Sequence, residues 1–133
     1  MFTFGRRHEL VCATKYVRGS KNTELAEKTV NAIHDFLEQR ITESDLLSVL
    51  RTAFRDGGLG VWEQAANWLR RLAIQYPELL QLWLEFAQDS SSKVRFRAAC
   101  CLPDMTPEYA HQISALLIVD ISSKVREMAF AKQ

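Results

Sequence analysis

Asp89-Ser90-Ser91-Ser92-Lys93-Val94-Arg95-Phe96-Arg97-Ala98 recurs 31 positions later (89 to 120) as Asp120-Ile121-Ser122-Ser123-Lys124-Val125-Arg126-Glu127-Met128-Ala129. A looser copy lies 33 positions upstream (56 to 89): Asp56-Gly57-Gly58-Leu59-Gly60-Val61-Trp62-Glu63-Gln64-Ala65. The shared frame is Asp, four residues, Val, three residues, Ala. The Asp ends one helix and caps the turn that Ser or Gly carries. Val and Ala, four apart, begin the buried stripe of the following helix, with Ala allowing close approach. Internal repetition at this period is the mark of a repeat architecture.

Periodicity on either side of the frames predicts helices throughout. Residues 7–18, with Leu10, Val11, Thr14 and Val17, are the first. Asn22 or Thr23 then caps a helix with Leu25, Thr29, Ala32, Ile33, Phe36, Leu37 and Arg40 on one face. Thr42 with Asp45 reads as a capping box ahead of Leu46, Leu47, Leu50, Ala53 and Phe54, stopped at Gly57. Val61, Ala65, Trp68, Leu69, Leu72 and Tyr76 form one stripe up to Pro77. Pro77 opens the next helix, with Leu79, Leu80, Trp83, Phe86 and Ala87 inward. Val94, Ala98, Cys101 and Leu102 end at Pro103. Thr106-Pro107-Glu108 starts a helix with Ile113, Leu116 and Leu117, and the last runs from about Ser123. No segment alternates as a strand would.

The frame resembles the HEAT repeat, a two-helix unit whose second helix opens with Asp-x4-Val-Arg-x2-Ala. Asp89, Val94, Arg95 and Ala98 match it, as do Asp120, Val125, Arg126 and Ala129. The upstream copy has Trp62 in place of the family's Arg, so the inter-repeat Arg contact is not expected there. The resemblance covers residues 41–133 and reaches 1–40 by extension. It implies an all-α fold, a short α–α solenoid of about four HEAT-like helix pairs, with residues 1–133 as a single domain.

Composition narrows the function classes. The 133 residues are 47% apolar and 25% charged, as in globular domains, with 17 Lys and Arg against 16 Asp and Glu. A dedicated polyanion binder carries a stronger basic excess. No apolar run is long enough to span a membrane and no signal-peptide stretch opens the chain, so a cytoplasmic location is the expectation. Cys12, Cys100 and Cys101 are read as small buried or half-buried thiols. The vicinal pair points about 100° apart on a helix and forms no CxxC arm. No phosphate-cradling glycine loop is present.

Nothing in the chain calls for catalysis, and no cofactor or metal site is expected. His8, His34 and His111 are read as surface or interface histidines. The serines cluster at turns, where capping accounts for them. Nucleic acid ranks low as a partner. Residues 1–21 carry Arg6, Arg7, Lys15, Arg18 and Lys21 against Glu9, but residues 41–89 hold four basic and seven acidic side chains.

Protein binding ranks first, and helical phase places its surface. Opposite the Val61 stripe lie Glu63, Asn67, Arg70, Arg71 and Ile74. In the next frame the same face carries Phe96 and Cys100, with Arg97 at the edge. Phe96 stands where the other frames have Glu63 and Glu127, and an aromatic side chain among charges is a typical interface anchor. Trp62 is expected half-buried. The most concrete reading is a noncatalytic immunity or inhibitor protein that neutralises one cognate toxin, by analogy of size and architecture with small HEAT-type bacterial immunity proteins. An adaptor or scaffold subunit is the second reading. Ala129 and Phe130 leave the last helix apolar, which suits self-association. A HEAT-like nucleic-acid binder is the third.

Overall fold

The computed structural model describes residues 3–133 and is all-helical among them. Eight α-helices follow in order: α1 (Arg6–Thr14), α2 (Ser20–Leu37), α3 (Glu43–Asp56), α4 (Trp62–Leu72), α5 (Gln81–Ala87), α6 (Ser92–Cys100), α7 (Pro107–Leu117) and α8 (Ser123–Lys132). Short 3-10 turns at Pro77–Leu80 and Leu102–Asp104 precede α5 and α7. The chain divides into two compact units, residues 1–75 and residues 76–133.

In the first unit each of α1, α2 and α3 packs on the helix that follows it. The core holds Ile33, Leu46, Leu50, Phe54, Leu69 and Leu72, the stripes read from periodicity. α3 starts on the expected capping box: the Thr42 hydroxyl accepts from the Asp45 N–H at 3.1 Å, and the Asp45 carboxylate accepts from the Thr42 N–H at 3.1 Å. α3 ends at Gly57, whose backbone turns to the extended region; a side chain there would collide with the Ala53 carbonyl and with Val61. α2 starts earlier than Asn22 or Thr23, at Ser20 behind the left-handed Gly19. Asn22 is thereby freed from capping, and its Oδ1 accepts the Gly58 N–H at 2.8 Å.

α2 ends in a Schellman motif. The Arg40 N–H donates to the Asp35 carbonyl at 2.7 Å and the Gln39 N–H to the Phe36 carbonyl at 3.0 Å. Gln39 occupies the left-handed position at φ 62°, where glycine is the usual occupant. α1 is held to α2 by Arg6, whose guanidinium reaches Asp35 and Glu38, each at 2.7 Å. α1 itself ends at Thr14, short of the expected 18, and Pro77 opens a 3-10 turn before α5 begins.

In the second unit α5 packs on α6 and α7, and α6 packs on α7 and α8. Leu82, Trp83, Phe86, Val94, Ala98, Ile113, Leu117, Val125 and Ala129 are buried. The Asp of each frame closes its turn: Asp89 Oδ1 accepts the Ser91 N–H at 2.8 Å and Asp120 Oδ1 the Ser122 N–H at 2.9 Å. Arg95 joins the two frames, donating from Nε and Nη2 to the two Asp120 oxygens at 2.8 and 3.2 Å.

Candidate functional site

In the first unit α4 presents the face derived from its phase. Val61, Ala65, Trp68, Leu69 and Leu72 are buried, while Glu63, Asn67, Arg70 and Ile74 are exposed. Ile74 lies beyond the end of α4 and is 84% exposed. All three polar side chains of this set are tied locally: Arg70 Nη2 donates to Asn67 Oδ1 at 2.8 Å, and Glu63 accepts the Gly60 N–H at 2.9 Å.

Arg71 departs from that exposed face. It is half-buried with its guanidinium 4.1 Å from the centre of the Trp68 ring. The stacking brings Arg71 and Asn67 into a cleft of about 240 Å³ that α1 completes with Glu9, Cys12 and Ala13. Gln64 closes it by donating to the Ala13 carbonyl at 2.9 Å. Trp62 is half-buried, as expected, edge-on to Phe54 with ring centres 5.8 Å apart.

In the second unit Phe96 and Arg97 are both half-buried. Phe96 forms part of a cavity of about 340 Å³ with Ser92 and Lys93 of α6, and with Ser122 and Lys124 at the start of α8. The equivalent frame positions, Glu63 and Glu127, are exposed carboxylates. Among the three, only Phe96 sets a ring against a cavity. Lys93 and Lys124 escaped the phase argument because the cavity forms between two helices that lie 31 residues apart.

Asp120 carries the clearest electrostatic signature of this unit. Burial by itself would raise its carboxyl. The Arg95 hydrogen bond, the Ser122 N–H and the charges of Arg95 and Arg126 outweigh that and hold it below its ordinary value. Arg95 and Arg126 also bind turn carbonyls, Arg95 that of Asp89 at 2.8 Å and Arg126 that of Asp120 at 2.6 Å.

The histidines and cysteines correct two expectations. His34 is buried, not at a surface, because it falls on the inner side of α2 facing Trp68, with ring centres 6.5 Å apart. Its Nε2 has no hydrogen-bond partner among the described residues. Burial, with the charge of Arg6, pushes its pKa down against the opposing pull of Glu9, Glu38 and Asp35. Cys12 is exposed rather than buried, and its Sγ lies 3.4 Å from His8 Nε2, one helical turn away. That i, i+4 spacing was the available signal. Among the described residues no three His, Cys, Asp or Glu side chains are grouped to hold a metal ion.

Large apolar side chains gather in exposed positions late in the chain: Leu116, Ile118, Val119, Ile121 and Phe130. Of the two residues read as an apolar end, Ala129 is buried, as its place in the frame implies, while Phe130 faces solvent. No helix among the described residues is long and apolar enough to cross a membrane. Comparison with family models, with curated proteins and with solved structures gave no match in any of the three.

Proposed function

We propose that the chain is a noncatalytic protein-binding module, a short HEAT-like α–α solenoid. Its most concrete form is a cytoplasmic immunity or inhibitor protein that occludes one cognate toxin. The observation that carries the binding reading is Phe96. A half-buried ring beside a cavity replaces an exposed carboxylate at one of three equivalent positions, and large aromatic anchors beside pockets are where interface energy concentrates. The HEAT-like reading is supported by the Arg95–Asp120 bridge, which ties consecutive frames through the Arg that the repeat pattern singles out. In the first unit, Glu63, Asn67, Arg70 and Ile74 form an exposed face of mixed polar and apolar character, the composition usual for a protein contact surface.

The test is a binding titration of the purified chain with the protein that co-purifies with it from its native cells. One protein bound in a one-to-one ratio with a dissociation constant below about 1 μM supports the reading. Absence of any protein binder at that strength removes it.

A scaffold or self-assembling subunit is the second reading. It draws on the large apolar side chains of Leu116, Val119, Ile121 and Phe130, which are exposed in the second unit; apolar surface of this kind is buried when subunits associate. Light scattering on a size-exclusion column separates the two: a strict monomer at about 100 μM counts against self-assembly.

A further inference from the structure

The cavity over Phe96 is one-sided in charge. Its mouth carries Lys93 and Lys124, both exposed, and neither makes an ion pair among the described residues. The carboxylates of the adjoining turns are engaged elsewhere, Asp120 on Arg95 and the Ser122 N–H, Asp89 on the Ser91 N–H. The bias extends over the helices around it. α6 and α8 together hold Lys93, Arg95, Arg97, Lys124, Arg126 and Lys132 against Glu127 alone. α5 and α7 hold Glu85 and Glu108 with no Lys or Arg.

We propose that this cavity docks an acidic segment of a partner protein, which lays one apolar side chain on Phe96 and sets flanking carboxylates against Lys93 and Lys124. The inference rests on the protein-binding reading and adds the chemistry of the partner. Phe96 supplies the apolar floor, and two unpaired ammonium groups supply the charge complement. The Ser92 and Ser122 hydroxyls are placed to bond a carboxylate or a peptide carbonyl. A nucleic-acid backbone fits less well. The Arg95 and Arg126 guanidiniums are spent on Asp120 and on turn carbonyls, and the cavity itself is lined by two cations, Lys93 and Lys124, where a phosphate chain needs a longer stripe of them. About 340 Å³ also lies at the small end of ligand clefts, which run to about 1,000 Å³; it suits one side chain with its backbone.

The experiment is an NMR titration of the 15N-labelled full chain with three probes. They are a twelve-residue peptide of glutamates around one central leucine, the same peptide with glycine in place of leucine, and a twelve-nucleotide oligothymidylate. Saturable shifts confined to residues 92–97 and 122–125 are expected with the leucine peptide. Roughly tenfold weaker binding is expected for the glycine peptide and for the Lys93→Glu/Lys124→Glu chain, whose thermal melt stays that of the wild type. Lys93→Arg/Lys124→Arg should restore binding. Equal binding of the two peptides, tighter binding of the oligonucleotide at these residues, or shifts only elsewhere overturns the proposal. A partner complex indifferent to the double glutamate variant overturns the acidic docking and leaves protein binding standing; absence of any protein partner overturns both.

Discussion

Arg95 grips Asp120 with two nitrogens, Nε at 2.8 Å and Nη2 at 3.2 Å, and so ties the helix opened by one frame to the turn of the next. The side chains are 12% and 9% exposed, so the pair is largely withdrawn from water. The Arg95 Nη1 then holds the Asp89 carbonyl at 2.8 Å, closing its own turn as well. One side chain thus braces two turns.

Breaking that pair should cost more than a surface ion pair does. Asp120→Ala leaves a nearly buried guanidinium without its partner, and about 3 kcal/mol of stability should be lost. Arg95→Lys keeps the charge but not the planar fork, and a loss of about 1–2 kcal/mol is expected. Urea unfolding of the two variants measures both. A loss under about 0.5 kcal/mol for Asp120→Ala would show that the brace is ornamental.

Acid should weaken the fold through two groups of the same sign. His34 and Asp120 both have folded pKa values below their ordinary 6.5 and 3.8. Between its two values each group binds more protons when unfolded, so stability rises with pH there. The His34 contribution is complete above about 6.5 and declines as pH falls from there through its folded value. The Asp120 contribution is lost lower down, below about 3.8. Arg6, raised by its bond to Asp35 although burial opposes it, stays charged throughout. The urea midpoint of the wild type should therefore fall between pH 7 and pH 5, and less so in His34→Phe. A midpoint that holds level over that interval in the wild type contradicts this account of His34.

Gln39→Gly should stabilise the chain. Gln39 sits at φ 62° in a Schellman turn whose bonds are made by backbone alone. The left-handed region costs a side-chain-bearing residue about 1–2 kcal/mol. The entropy that glycine adds to the unfolded chain returns about 0.4–1 kcal/mol of this. A net gain of about 0.5–1 kcal/mol follows, readable as a higher melting temperature. An unchanged or lower one would show that Gln39 makes a compensating contact.

Helix positions were legible from the sequence wherever one side of a helix is buried continuously. The α4 stripe from Val61 to Leu72 and the Thr42–Asp45 capping box are local patterns, and they appear where periodicity places them. Asn22 misled because its oxygen has a distant competitor, the Gly58 N–H, 36 residues away. His34 misled because a polar residue on an inner face reads as a boundary of that face until Trp68 is set opposite it. Phase alone placed Arg71 with the exposed side chains, but the Trp68 ring one turn back draws it down. Phe96 was visible as an anomaly among the frames. The lysines that give its cavity a charge were not, since Lys124 reaches Phe96 only through the packing of α8 on α6.

The central claim is that this chain works by binding one protein through the Phe96 surface. The most direct measurement is capture of partners from native lysate on the tagged full chain, beside Phe96→Glu, with the retained material identified and weighed. One protein in stoichiometric amount is expected, lost with Phe96→Glu while the thermal melts of the two chains agree. The same protein held equally by both chains, or nucleic acid with no dominant protein, would contradict it.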